Sequence, residues 1–363
     1  MTPVRIDPAG VTGPTPGQSR GPRWRQSSHG YYVPSTTSDD LPEQRALEQS
    51  ARLPDHGAVT GWAACRLYGA AFFDGLAPDG ATRTPVPLVV GPRSVLRTDC
   101  RVTVSRERLA LDETVVVGGA RITRCQRALF DEMRRTGDLR DAVVAMDMMA
   151  AAELVSIRQM REYAAVSAIR RGVPLVQRAL DLADEESMSP NETRMRLIWV
   201  LDARLPRPLV NQPVFDLRGK LLGIADLLDP VAGVVGEYDG AAHRGARRHR
   251  KDVMREERFR GAGFEYFKVV GGDLPHPEVV VDRMLATRRR ALDLPRRVRR
   301  WTLTPPEDWY DSAIEALPLD DRLALREEMH RGATEAFQRP WSASSGRTRS
   351  GRGGARVKEV EVP

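Results

Sequence analysis

Three cysteines in 363 residues, with no C-x-x-C pair among them, exclude a disulfide scaffold and a thiolate metal knuckle. Cys65, Cys100 and Cys125 stand singly and are expected to be reduced, buried thiols. No apolar run approaches the roughly 18 residues that span a bilayer, and the opening stretch MTPVRIDPAGVTGPTPGQSRG lacks the apolar segment of a secretory signal. A cytoplasmic chain with no membrane partner is therefore expected. Aromatic residues are sparse at 6% while prolines number 26, so part of the chain is expected to lie outside any packed core.

What remains is the composition of a globular protein, 41% hydrophobic and 29% charged. The length suits two domains plus tails. The net charge is +7, and the basic residues cluster in HRGARRHRKDVMREERFR (243–260), in RRRALDLPRRVRRW (288–301) and in the tail segment SGRTRSGRGGARVK. Such clusters favour a polyanionic partner, and Arg244, Arg247, Arg248, Arg250 and Lys251 are the candidate phosphate contacts.

Residues 1–40 are rich in Pro, Gly, Ser and Thr and read as largely disordered, apart from a short strand at GYYVP. From 41 to 185 the pattern is α+β. A short helix over AVTGWAACRLYGA leads to the strand segments VPLVVGP, CRVTVSR and ETVVVGGARIT, then to four helices from CQRALFDEMRR to PLVQRALDLAD. Met146, Met148 and Met149 read as core filler.

Residues 186–294 form a new unit. Ser189 as N-cap, Pro190 at the first helical position and Glu192 in the first turn open a helix. NQPVFDL, LLGIADLL and VVGEYDG follow as an antiparallel meander. A charged helix to about Arg260, the strand FEYFKVV and a helix over PEVVVDRMLATRRRAL complete the order αβββαβ, whose last strand can lie parallel in a mixed sheet. Residues 295–363 read as a basic, mostly disordered extension with one helix, PLDDRLALREEMHRGATEAF.

The chemistry concentrates in GIADLLDPVAGVVGEYDGAAH (223–243). Strand alternation puts Leu222, Ile224 and Asp226 on one face, and Val235, Glu237 and Asp239 on one face of the next strand. A carboxylate buried on an apolar strand needs a partner or a metal. A hard cation, Mg²⁺ or Mn²⁺, suits such oxygen ligands; strand ends meeting solvent at a turn would equally explain them.

Glu192 on a helix, Asp226 on a strand, then EYDG with His243, then Asp252 and Arg255, then Lys268 on FEYFKVV form a wider arrangement. It resembles the PD-(D/E)XK restriction-endonuclease-like superfamily, most closely the domains related to very short patch repair endonucleases, over about residues 187–292. The resemblance implies a restriction-endonuclease-like fold with a mixed central sheet and a metal held by Asp226 and Glu237. It further implies Asp239 or Glu192 completing the shell, and His243, Asp252 and Lys268 positioning water or the scissile phosphate, with Arg255 in support. The implied activity is metal-dependent hydrolysis of DNA phosphodiester bonds. The chain departs from the superfamily at Asp239, which stands where its usual lysine would be. Simpler roles stand beside these: a turn cap for His243, a helix-dipole partner for Glu192, a surface ion pair for Asp252 with Arg255, and an edge-strand gatekeeper for Lys268.

The segment from HGYYVPS to GGARITRCQRALFDEMRR, about residues 29–180, resembles AbiEi-type antitoxin proteins, in which a winged helix precedes a mixed α/β domain. The leading helices of a winged helix are not evident here, so a degenerate version is expected. The combination implies a bacterial defence or mobile-element setting, with a toxin or defence partner unspecified; a non-catalytic, antitoxin-like DNA-binding regulator is the alternative reading.

Overall fold

In the computed structural model the first forty residues form a small sheet, where composition led to an expectation of disorder. The structure describes residues 1–77, 79–167, 170–240, 246–295, 298–306, 309 and 317–324, without the side chains of 111 and 246–252. Strands β1 (Val4–Arg5), β2 (Trp24–Ser28) and β3 (Tyr31–Pro34) pair antiparallel in the order β1-β3-β2. The reason lies in polar contacts rather than hydrophobic pattern. Asp7 accepts backbone N–H groups from Ala9, Val11 and Thr12, and the Met1 ammonium donates to Gln44 at 2.7 Å. Side chain-to-backbone bonds of this kind organise turns without apolar periodicity.

Helix α1 (Pro42–Ser50) is followed by β4 (Ala58–Val59) and α2 (Gly61–Leu67). Strands β5 (Val86–Val89), β6 (Val102–Ser105), β7 (Thr114–Val117) and β8 (Ala120–Thr123) join β4 in a mixed sheet ordered β6-β5-β4-β8-β7. The segment ETVVVGGARIT is thus two strands. Gly118 and Gly119 turn the chain with φ of 57° and 85°, a combination that L side chains adopt poorly. Helices α3 (Cys125–Thr136), α4 (Leu139–Ala151), α5 (Ile157–Val166) and α6 (Val173–Leu182) pack on this sheet. Asp138 caps α4 and a Ser156–Gln159 capping box starts α5. Met146, Met148 and Met149 are all buried in the N-terminal core. Of the three cysteines, Cys65 is buried, Cys125 is partly covered, and Cys100 is exposed, contrary to expectation.

Helix α7 (Pro190–Leu197) starts at Ser189 as expected and runs into a π-helical segment, Ile198–Asp202. The meander follows as β9 (Leu209–Asp216), β10 (Leu221–Asp229) and β11 (Val234–Asp239). Helix α8 (Ala246–Gly261) crosses to β12 (Glu265–Val270), which lies parallel to β11, and α9 (Pro277–Asp293) closes the unit. Alternation along the strands splits the core. Val235, Leu228 and Tyr266 pack with Phe259 of α8, while Val234, Leu227 and Phe267 pack with Trp199 of the π-helical segment and Met284 of α9. The sheet therefore carries helices on both faces.

Two expected boundaries change. The basic segment after residue 294 adds a strand, β13 (Trp301–Thr302), beside β9, giving the sheet order β12-β11-β10-β9-β13. Trp301 stacks on Phe264 at 4.7 Å, and Leu319 and Leu323 are buried in the N-terminal core. Residues 298–306 are therefore part of the fold rather than a disordered tail, and 319–324 are helical where PLDDRLALREEMHRGATEAF was expected to be, the rest of that helix lying outside the described residues. Nor do the chain's halves separate near residue 185. Met1–Leu323 forms one compact unit, pinned where Asp147 of α4 meets α7. Asp147 accepts from Arg196 at 2.7 Å and from Thr193 at 2.8 Å, and all three residues are buried. The fold class is mixed α/β, with three sheets among the described residues, two of them mixed. No helix among the described residues is long and apolar enough to cross a membrane.

Candidate functional site

Glycine creates the room for the site. A Cβ on Gly236 would come within 2.3 Å of the Phe267 ring, and one on Gly223 within 2.9 Å of Phe259 and 3.1 Å of Arg255. Without side chains at these positions, α8 and the Phe267–Trp199 stack close tightly on β10 and β11. Glu237, next to Gly236, is thereby held at 2% exposure.

A carboxylate so buried needs donors, and it has them. Arg255 of α8 donates to Glu237 Oε2 at 2.5 Å, and the Tyr266 hydroxyl donates to the same oxygen at 2.5 Å. The charge-assisted pair compensates desolvation. Burial and the adjacent carboxylate raise the Tyr266 phenol well above its ordinary range, so it remains a donor.

Asp226 lies on β10, where its Oδ2 accepts the Tyr238 N–H at 2.8 Å. Burial first, then the charge of Glu192 and, more weakly, that of Glu237 push its pKa up to about 7 against the lowering effects of Tyr238 N–H and Arg255. Three carboxylates thus act on one another at the junction of α7, β10 and β11. Glu192 is fastened there by a capping arrangement: its carboxylate accepts from Ser189 Oγ at 2.8 Å, Met188 N–H at 3.1 Å and Asn211 Nδ2 at 2.9 Å. A structural role for Glu192, open from sequence, is thus present whatever else it does.

Of the other sequence-predicted residues, Lys268 lies in register with Glu237 across the parallel pair, but its ammonium is 3.5 Å from Glu256 and sits over the Tyr266 ring. Asp239 ends β11, half-buried, in register with Val270. Arg247, Arg248, Arg250, Lys251 and Asp252 belong to α8, with side chains outside the described set; His243 and Arg244 lie outside the described residues. The structure brings Asp226, Glu237, Glu192 and Arg255 together. Sequence reasoning missed Tyr266 and Asn211. Tyr266 had a signal, standing two residues before Lys268 and so on the same strand face; Asn211, with φ of 44° in β9, had none.

Whether a metal suits these residues is a question of donors and charge. Asp226 and Glu237 are hard oxygen donors, and among the described residues Glu192 and Glu237 each act on Asp226 more strongly than Arg255 does, which is the chemistry a divalent cation answers. Among the described residues no group of three or more His, Cys, Asp or Glu is gathered as a metal site. The fit therefore extends to a two-carboxylate set. Compared with protein-family models, curated proteins and solved structures, the chain matches none.

Proposed function

We propose that the chain is a divalent-cation-dependent nuclease that hydrolyses DNA phosphodiester bonds at the carboxylates of the β10–β11 hairpin. The observation that carries this reading is the placement of Asp226 and Glu237 on the paired strands β10 and β11, with Arg255 bound to Glu237 and Glu192 of α7 acting on Asp226. Asp226 and Glu237 would hold Mg²⁺ or Mn²⁺. One or two carboxylates are an ordinary protein share for Mg²⁺, whose other positions go to water and substrate phosphate. When bound, such an ion polarises the phosphoryl oxygen and lowers the pKa of its water.

The chain's own residues supply the rest. Arg255 and Tyr266 fix the rotamer of Glu237, Ser189 and Asn211 fix that of Glu192, and the backbone of Tyr238 orients Asp226. The basic residues that the sequence puts on α8 suit phosphate contacts, which confer affinity without sequence choice. A defence or mobile-element setting goes with this reading.

A second reading, a non-catalytic antitoxin-like regulator that binds DNA, draws on a specific observation. Glu237 Oε2 is already engaged by Arg255 and Tyr266, and Asp239 replaces the superfamily's lysine. Incubation of supercoiled plasmid with the protein and Mg²⁺ or Mn²⁺, beside D226A, E237Q and an EDTA control, separates the two. Nicking that falls at least roughly 100-fold in both variants, more than the usual loss from an outer-shell change, supports the nuclease. DNA binding without nicking in all three proteins supports the regulator.

A further inference from the structure

Among the described residues strand β12 is an edge of the C-terminal sheet, yet side chains cover part of its outer backbone. The carbonyl of Tyr266 accepts from Arg260 of α8 at 3.4 Å, that of Lys268 accepts from Arg283 of α9, and the Val270 N–H donates to Asp273 at 3.1 Å. Side chains laid over an edge in this way oppose pairing with a second chain.

Two of these side chains, Arg260 and Arg283, line a groove of about 360 Å³ together with Lys268, Arg290 and Glu256. Glu256 pairs with Arg260 and Lys268, and Glu265 and Asp273, outside that lining, pair with Arg290 and Arg283, so four cations stand against three carboxylates. Beyond Arg260 the surface continues into a second depression of about 660 Å³ with Arg300 on its wall and Phe264 in its lining. The cations thus form a track along the edge, over the buried rings of Tyr266 and Phe264. Lys268 sets it beside Glu237, one strand inward.

We propose that this edge groove binds the sugar–phosphate backbone of a nucleic-acid strand. Guanidinium groups suit phosphate because they present paired N–H donors. An edge guarded against strand addition but lined with cations fits a polyanion better than a second copy of the chain. The inference rests on the reading of this unit as one that acts on nucleic acid, and it names the surface that holds that partner.

The test is fluorescence anisotropy of the full chain with labelled single-stranded and duplex DNA, in EDTA, across a salt series. The variants are R260A/R290A, its charge-preserving counterpart R260K/R290K, and R158A/R161A as a control. The control pair is likewise exposed and ion-paired, and it removes the same charge from the N-terminal half. R260A/R290A is expected to lose roughly tenfold or more in affinity near 0.1 M salt and to flatten the salt dependence by up to about two phosphate contacts. The lysine variant keeps most of the affinity and the control keeps nearly all. Equal losses in R260A/R290A and R158A/R161A overturn the groove while leaving nucleic-acid binding intact. Self-association of R260A/R290A with unchanged DNA affinity assigns the arginines to edge protection and overturns it also. No binding by the unmodified protein at low salt overturns both this inference and the nucleic-acid reading beneath it.

Discussion

Asp226 and Glu237 are both carboxylates on apolar strands, yet their surroundings give them different chemistry. Glu237 has a guanidinium and a phenol on one oxygen; Asp226, among the described residues, accepts the Tyr238 N–H and lies under the charges of Glu192 and Glu237, with Arg255 the weaker influence. Without metal, the folded chain holds a proton on Asp226 up to about pH 7, whereas an ordinary aspartate releases it near 3.8. Between those values the folded state binds more protons than the unfolded, so stability falls as pH rises through that window and stays lower above it. D226N has no such charge and retains an oxygen for Tyr238 N–H. In EDTA it is expected to match the unmodified protein near pH 4 and to exceed it by about 2–4 kcal/mol above pH 7, measured by urea denaturation. A difference that stays constant with pH would refute the assignment. If the hairpin holds the cation as proposed, millimolar Mg²⁺ narrows the gap, because binding would stabilise only the protein that keeps the carboxylate.

At the scale of elements, the β10–β11 hairpin owes its closeness to α8 and to the Phe267–Trp199 stack to positions that lack a side chain. The Trp199 and Phe267 rings lie 6.1 Å apart and nearly parallel, and Phe267 is 3% exposed, so the ring has nowhere to move. G236A should therefore cost about 1–3 kcal/mol, the usual range for overpacking a core. The change should appear in the urea midpoint and in the Trp fluorescence of the folded state; an unchanged midpoint would show that the ring can yield. The order of these elements was legible because short turns bound the strand segments and because α7 carries its own start signal in Ser189 and Pro190; the alternation expected on β10 breaks at Ile224, which is exposed while Leu222 and Ala225 are buried. β13 was not. Two residues are too short for a period to register, and Trp301 acquires its role from Phe264, 37 positions earlier in the chain, and from its pairing with Asp216 of β9.

Across the molecule, one buried ion pair joins elements that the sequence suggested belong to separate domains. Asp147 and Arg196 come from α4 and α7, and Arg196 is almost without solvent. Burial drives the Asp147 pKa up to about 6 in spite of Arg196, Thr193 and the Asp184 N–H, so the pair's value lies as much in specifying the junction as in its strength. D147A leaves a guanidinium buried without its carboxylate and should cost about 3–5 kcal/mol. The unmodified protein is expected to unfold in one transition, with far-UV circular dichroism and Trp fluorescence coincident. The variant should separate the two signals. Two transitions already present in the unmodified protein would restore the boundary near residue 185.

What the sequence determined by itself is what depends on neighbours along the chain. Hydrophobic period, capping residues and glycine turns specified the α+β and αβββαβ successions, and carboxylates on apolar strands marked Asp226 and Glu237. The tertiary structure alone decided the partners. Arg255 and Tyr266 lie 18 and 29 positions from Glu237, and Asn211 lies 19 from Glu192. It also decided the sheet at the N-terminus, the docking of residues 298–306, and the arginines that cover part of the β12 edge. The physical reason is the same in each case. Hydrogen bonds and ion pairs between distant residues depend on distance and angle in space, and a linear pattern records neither until the chain has closed on itself.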